Sequence, residues 1–199
     1  MAGSPASVRK GRCPGCGLPP EACLCRGLTR LPNRTEVRIY RHAKESFKTS
    51  NTGRLAALLL ERCEIHEYGR PHQPIDPPGL ANSWLLFPSS SPQIPPGRPA
   101  RLVVLDGTWS QARRMVQRLP WLRALPRLSL LPEHPPDGLR REPDAVGMPT
   151  VLAIARALEL LEGPALGEAL EALHAEFVHR ARALRGGPAV LKLPAAPGL

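Results

Sequence analysis

Residues 101–119 most constrain the fold, because a buried strand, a sharp turn and an amphipathic helix follow one another there. Residues 102–105 form an unbroken apolar run rich in β-branched side chains, which is typical of a strand covered on both faces. Asp106 and Gly107 interrupt this run, and from Ser110 onwards the apolar residues recur at helical spacing. A strand that leads directly into a helix predicts an α/β domain.

The predicted helix has an apolar face and an arginine-rich face. Thr108 is a suitable N-cap residue, and Pro120 is expected to end the helix. Open α/β sheets bind ligands where a strand ends and a helix begins, because backbone N–H groups and the helix dipole converge there. We therefore expect the chemistry at Asp106. The outer face carries Gln111, Arg113, Arg114, Gln117 and Arg118, and the inner face carries Ala112, Met115, Val116 and Leu119.

The composition is strongly basic, with 27 Lys and Arg against 17 Asp and Glu and a formal net charge of +10 over 199 residues. Such an excess favours a polyanionic partner, nucleic acid before an anionic membrane surface, although a generally basic proteome is the alternative. No apolar run is long enough to span a bilayer, and the N-terminus lacks the apolar segment of a secretory signal. These features predict a cytoplasmic protein with no membrane partner and with reduced thiols.

Four cysteines near the N-terminus predict a zinc site, namely Cys13, Cys16, Cys23 and Cys25. Four thiolates separated by Gly and Pro turns can surround one Zn²⁺ tetrahedrally, and such a site is structural because it leaves no open position. A redox pair or an iron–sulfur cluster is the alternative, but Pro14, Gly15 and Gly17 do not suit the helix that a redox C-x-x-C motif opens. Cys63 stands alone in an apolar context and is predicted to be a core residue.

The remaining patterns complete one α/β domain behind the cysteine cluster. Further strands are predicted at residues 36–41, 63–68, 83–87 and 125–131. Further helices are predicted from Asn51 or Thr52, with Ser50 or Asn51 as the cap, and over residues 150–161 and 166–184. The Pro-rich, charged segment 132–149 predicts a lid or a binding loop. The result is five strands interleaved with four helices.

Two features beside the central strand allow more than one interpretation. A basic cluster in the loop after the first strand and the first turn of the next helix could hold a phosphate or a carboxylate at a helix N-terminus; its members are His42, Lys44, Lys48 and Arg54. A solvated basic loop explains it equally well. Trp109 could stack on a nucleobase or attract a cation, or it could simply pack the helix onto the sheet.

Several separated blocks of the sequence, in the same order along the chain, share a pattern with one known family. They are the cysteine set, His42-x-x-Glu45, the run from Ser50 through Asn51-Thr52-Gly53 to Arg54, Phe87-Pro88-Ser89, Asp106-Gly107-Thr108-Trp109 with Ala112-Arg113, and the region from Arg141-Glu142-Pro143 to Thr150. This pattern resembles the DTW-domain family, the tRNA-uridine aminocarboxypropyltransferases. The chain departs from it at Leu152, where similar sequences usually have a glutamate.

The resemblance implies a SPOUT-like sheet with helices on both faces and a C-terminal trefoil knot. It also implies transfer of the 3-amino-3-carboxypropyl group of S-adenosylmethionine to N3 of a tRNA uridine, which releases methylthioadenosine. The chain then divides into a disordered basic tail at 1–12, a zinc knuckle at 13–30, a catalytic domain at 34–186 and a flexible tail at 187–199. The alternatives are a SPOUT-type RNA methyltransferase, a zinc-knuckle RNA-binding protein without activity, and rRNA in place of tRNA as the substrate.

The resemblance also assigns roles to individual residues. Asp106 and Trp109 are the expected catalytic residues. Contacts to S-adenosylmethionine are expected from Pro88, Ser89, Asp106, Gly107, Thr108, Leu130 and Thr150, and contacts to RNA from His42, Lys48, Asn51, Arg54, Arg113 and Arg114. Asp106 is the candidate base for the weakly acidic uridine N3–H. A helix N-terminus lowers the basicity of a carboxylate, so desolvation would have to oppose it. Otherwise, Asp106 orients the uracil or pairs with the positive charge of the co-substrate.

Overall fold

The computed structural model describes residues 11–48, 50–70, 75, 81–89, 91–130 and 148–184. A five-stranded sheet lies at its centre, with the strand order β2-β1-β4-β3-β5 and every neighbouring pair parallel. Its strands are β1 (Glu36–His42), β2 (Cys63–Tyr68), β3 (Ser83–Leu86), β4 (Arg101–Asp106) and β5 (Arg127–Leu128). The first four confirm the predicted strands. The fifth is shorter than predicted, because only Arg127 and Leu128 pair with β3, while Ser129 forms a separate bridge to Gln93.

Five α-helices lie in the described ranges. They are α1 (Gly53–Leu59), α2 (Trp109–Arg118), α3 (Pro120–Ala124), α4 (Thr150–Glu162) and α5 (Pro164–Ala183). The predicted cap of α2 is confirmed, since Thr108 Oγ1 accepts from the Gln111 N–H while Gln111 Oε1 accepts from the Thr108 N–H. Sequence reasoning missed α3. Pro120 ends α2, but it also occupies the first position of α3, where a missing N–H costs nothing.

The prediction that Ser50 or Asn51 caps α1 is wrong. Thr52 is the N-cap residue, and it makes no capping bond with its side chain. The reason is tertiary, because the polar side chains of Asn51 and Thr52 bond to other segments. The amide of Asn51 donates to Asp106, and the hydroxyl of Thr52 accepts from the backbone N–H of Val151 at 3.5 Å.

The helices cover both faces of the sheet, as predicted. On one face α1, α4 and α5 pack with the cysteine segment against sheet residues that include Val37, Ile39, Leu102 and Val104. On the other face α2 and α3 pack against Tyr40, Leu85 and Val103. Because β4 is covered on both sides, its unbroken apolar run is explained.

The carboxyl end of β4 lies at a topological switch point. β1 and β4 are neighbours, and Arg41 pairs in register with Asp106. From β1 the chain passes through α1 to β2 on one side, whereas from β4 it passes through α2 and α3 to β5 on the other. Connections that leave in opposite directions open a crevice between the two strand ends, which is where open α/β sheets bind ligands.

No helix within the described ranges combines the length and the apolar composition needed to cross a bilayer. The predicted lid at 132–149 and the tails at 1–12 and 187–199 lie almost wholly outside the described residues. The connection from β5 to α4, on which the predicted knot depends, also lies there.

Candidate active site

Asp106 is the last residue of β4, and its carboxylate is held by two other segments. Its side chain is buried, with 3% of the residue exposed. Oδ2 accepts a hydrogen bond of 2.6 Å from Nδ2 of Asn51, and Oδ1 accepts one of 2.7 Å from Oγ1 of Thr150. A Cβ built on Gly53 would lie 2.8 Å from Oδ2, so only glycine lets the start of α1 approach this closely. The loop after β1 and the first residue of α4 therefore meet at this carboxylate.

The environment of Asp106 favours the protonated, neutral form of its side chain more than bulk water does. Burial raises its pKa, and this effect outweighs the hydrogen bonds from Asn51 and Thr150 and the positive charge of Arg41, which lower it. Burial thus provides the desolvation that the base hypothesis requires. In addition, Oδ1 of Asn51 is buried and has no hydrogen-bond partner among the described residues. A buried acceptor beside a carboxylate fits a ligand that brings an N–H donor or a positive charge.

Trp109 belongs to an ordered stack of rings and guanidinium groups at the start of α2. Its ring stacks on Phe87, with centroids 5.3 Å apart and planes 14° from parallel. The guanidinium of Arg113 lies 4.9 Å from the Trp109 ring, and that of Arg127 lies 5.6 Å from the Phe87 ring. The tryptophan therefore joins helix α2 to the loop after β3, and an exposed arginine covers it.

The four clustered cysteines have the geometry of a tetrahedral metal site. Their sulfur atoms all lie within 4.8 Å of one another, and the Cys13–Cys25 and Cys16–Cys23 pairs are 3.6 and 3.8 Å apart. Metal–sulfur bonds of about 2.3 Å place tetrahedral ligands about 3.8 Å apart, so the set fits Zn²⁺. Burial raises the pKa of the Cys13 thiol, but hydrogen bonds, including those from the Cys16 and Gly15 backbone, together outweigh this effect. The net result is a pKa lowered to about 7. A thiolate ligand is therefore accessible near neutral pH.

Comparison with known proteins identifies the family. The family model of the DTW domain matches residues 10–182. This chain belongs to the DTW-domain family. It is 27% identical to tRNA-uridine aminocarboxypropyltransferase 2 of Drosophila melanogaster over 174 residues. This alignment covers 77% of this chain and 68% of that protein. It is 31% identical to tRNA-uridine aminocarboxypropyltransferase A of Arabidopsis thaliana over 145 residues, and that alignment covers 56% of this chain and 52% of that protein. No solved structure gives a significant match.

The DTW segment and the loop after β3 both reach the carboxyl edge of the sheet. The Ser89 N–H donates to Ser129 Oγ at 2.8 Å, which joins the loop after β3 to the residue after β5. Around this edge the predicted co-substrate contacts are exposed at Pro88 and Thr108 and half-buried at Ser89, Gly107, Leu130 and Thr150. Leu152, at the family's glutamate position, packs against the core on the side of α4 and α5. Of this set, Thr150 donates a hydrogen bond to Asp106. The co-substrate role of the whole set stays a prediction.

The predicted RNA contacts divide into an exposed group and a buried group. Arg113 and Arg114 are exposed on α2, and Lys48 is exposed but pairs with Glu45 at 2.8 Å. Half-buried His42 accepts from the Lys44 N–H through Nδ1 at 3.2 Å, and burial lowers its pKa. In contrast, Asn51 and Arg54 are only 6% and 8% exposed. Asn51 lies in the loop that holds Asp106, and Arg54 lies in the first turn of α1.

Glu67 is a residue near the site that sequence reasoning missed. It is the register partner of Arg41, and its Oε1 accepts from Arg41 at 3.1 Å and from Ser46 Oγ at 2.5 Å. Arg70 donates to its other oxygen. Burial raises the pKa of Glu67, but the bonds from Arg70, Ser46 and Arg41 lower it below its ordinary value. Glu67 could have been found by pairing β1 with β2 in register, since that pairing places its carboxylate beside the positive charge of Arg41 on the neighbouring strand.

Proposed function

We propose that this DTW-domain protein is a tRNA-uridine aminocarboxypropyltransferase, which uses S-adenosylmethionine to modify N3 of a tRNA uridine. The single observation that carries the proposal is the buried carboxylate of Asp106, with its raised pKa, at the carboxyl end of β4 beside β1. The names of the two relatives supply the class of reaction. The proposal includes a SPOUT-like fold with a C-terminal knot, a structural Zn²⁺ on the four cysteines and a cytoplasmic location.

The donor set around Asp106 suits a cationic co-substrate. S-adenosylmethionine, when bound, supplies a carbon made electrophilic by the adjacent sulfonium, and methylthioadenosine is the expected by-product. A buried carboxylate attracts its positive charge, and the unpartnered Oδ1 of Asn51 can accept from its amino group. With Leu152 at the family's glutamate position, we assign that amino-group contact to Asn51. The remaining contacts fall to the set around Ser89, Gly107 and Leu130.

Asp106 accepts the proton of uridine N3 as the new N–C bond forms. A raised pKa makes this carboxylate a stronger base than an exposed aspartate, which suits a weakly acidic N–H. Each oxygen already accepts one hydrogen bond and keeps a second acceptor site free. Asn51 and Thr150 therefore fix the orientation of the carboxylate without using up its capacity to accept a proton.

The tRNA backbone is expected to lie along the exposed basic surface of α2. Arg113 and Arg114 are exposed on that helix about one turn after Trp109, and the net charge of +10 favours a polyanion. Contacts of this kind go to phosphates, so they provide affinity and orientation rather than sequence selection. His42 and Lys48 extend the same role to the loop after β1.

The substitution Asp106→Asn tests the base role. Asparagine can still accept from Asn51 and donate to the Thr150 hydroxyl, so the fold is expected to persist. We expect kcat for transfer to fall about a hundredfold or more, with little change in KM for tRNA. Glu64→Gln is the matched control, because it removes the charge of an exposed carboxylate on β2. Undiminished transfer by Asp106→Asn at neutral pH would exclude the base role.

A further inference from the structure

The cysteine knuckle packs directly against helix α1 rather than standing apart from the domain. A Cβ built on Gly15 would lie 3.0 Å from Leu58, and one built on Gly17 would lie 2.5 Å from Nη1 of Arg54. Gly17 also has a φ of +77°, which glycine adopts without strain. On the opposite side Arg180 of α5 donates to the carbonyl of Cys23 at 2.7 Å. The knuckle therefore packs between helices α1 and α5.

Arg54 connects this knuckle to the loop after β1. Its guanidinium is buried, and Nη2 donates to the carbonyls of Ser46 and Lys48 at 3.1 and 3.2 Å. Gly17 lies against the same group, so the knuckle limits where the guanidinium can go. Among the residues that the structure describes, Arg54 bonds to backbone carbonyls and not to a carboxylate, so it fixes the path of the chain around it.

The carbonyl that Arg54 holds is the one that orients Asn51. Lys48 O accepts from the Asn51 N–H at 3.2 Å as well as from Arg54. The side chain of Asn51 then donates to Asp106 at 2.6 Å. A continuous series of contacts thus runs from Gly17 through Arg54, Lys48 O and Asn51 to the carboxylate.

We propose that Arg54 is a positioning residue through which the cysteine knuckle holds Asn51 against Asp106. The role in transfer rests on the proposed function, whereas the coupling between knuckle and loop does not. Metal binding by the four cysteines would thereby act on a reaction centre that the metal does not touch. Arg54 itself makes no contact with substrate in this scheme, although its sequence position suggested an RNA contact.

A pair of glycine substitutions separates this coupling from a general loss of stability. Gly17→Ala and Gly27→Ala place the same methyl group on knuckle residues with φ of +77° and +78°, so both carry similar backbone strain. The added Cβ meets Arg54 at position 17 and meets nothing within 4 Å at position 27. Only Gly17→Ala is therefore expected to displace the guanidinium.

Hydrogen exchange of the Asn51 amide, measured by NMR on the zinc-loaded full chain, reads out the displacement. We expect exchange at Asn51 to be about tenfold faster or more in Gly17→Ala than in Gly27→Ala, with Val103 of the central strand exchanging alike in both. Arg54→Met is expected to give the same acceleration without changing a residue of the knuckle. If Gly17→Ala loses zinc, Arg54→Met, with its zinc content checked, carries the same test. Equal exchange at Asn51 in wild type and Arg54→Met would overturn the proposal.

The kinetic arm separates this proposal from the proposed function. In a chain that transfers the aminocarboxypropyl group, Arg54→Met is expected to lower kcat about tenfold and to leave KM for tRNA unchanged. A rise in KM with kcat unchanged would instead assign Arg54 to RNA binding and overturn the positioning role. If the wild-type chain shows no transfer while Asn51 exchange still responds, the proposed function fails and the coupling stands.

Discussion

Replacing Thr150 with valine removes one of the two hydrogen bonds to Asp106 while keeping the shape of the side chain. The bond is short, at 2.7 Å, and its acceptor is a carboxylate 3% exposed. Hydrogen bonds to charged groups contribute about 1.5–3 kcal/mol, so Thr150→Val is expected to lose about 2 kcal/mol of unfolding free energy at neutral pH. With an m-value of about 2 kcal/mol/M, the urea midpoint would fall by about 1 M.

The pH dependence of that loss identifies its origin. The hydrogen bond from Thr150 favours the ionised form of Asp106. Its loss in Thr150→Val therefore raises the pKa of Asp106 beyond the rise that burial already causes. A carboxyl whose folded pKa is raised stabilises the fold below its unfolded pKa and loses this contribution as pH rises through its folded pKa. The deficit of Thr150→Val is therefore largest above the folded pKa and shrinks as pH falls through it. Other carboxylates titrate alike in both proteins, so their effects cancel in the difference.

The assay is urea unfolding followed by circular dichroism, between about pH 8 and pH 4. Thr150→Ser is the control, because it keeps the hydroxyl that donates to Asp106 Oδ1. We expect the serine variant to retain most of the stability at neutral pH. A deficit in Thr150→Val that is the same at every pH, or an equal deficit in Thr150→Ser, would refute the reasoning.

Two further predictions concern the metal site and the aromatic stack. Chelation of the metal is expected to lower the melting temperature, because the knuckle packs into the core through Cys16 and neighbouring residues. The control is Cys63→Ser, which lies outside the cluster and should leave the zinc content unchanged. A melting temperature insensitive to chelation would contradict the metal assignment. Trp109→Ala is expected to cost about 2 kcal/mol in urea unfolding because it removes the stack on Phe87, whereas Trp109→Phe keeps a stacked ring and should cost less than about 1 kcal/mol. Equal losses would show that stacking is not the source.

Local patterns predicted the centre of the fold well. The β4 strand and helix α2 follow from an apolar run, Thr108 as the N-cap and Pro120, all of which act between near neighbours in sequence. β5 and α3 were harder, since each is only a few residues long and lies in an apolar stretch interrupted by prolines. Short elements of this kind are decided by what they pack against.

The composition of the site was only partly accessible from sequence. Asn51 and Thr150 were assigned to RNA and to the co-substrate, yet they bind Asp106 across separations of 55 and 44 residues. The sheet topology creates those contacts, and no periodicity encodes them. Arg54 shows the same difficulty: a basic residue at a helix start suggests a phosphate site, but burial against the knuckle turns its donors towards backbone carbonyls.

Incubation of the purified chain with S-adenosylmethionine and unmodified tRNA tests the central claim most directly. Mass spectrometry of the released small molecule and of the digested nucleosides identifies the transferred group. The account predicts methylthioadenosine together with 3-amino-3-carboxypropyl uridine. S-adenosylhomocysteine with a methylated nucleoside, or tRNA binding with no modified nucleoside, would contradict it.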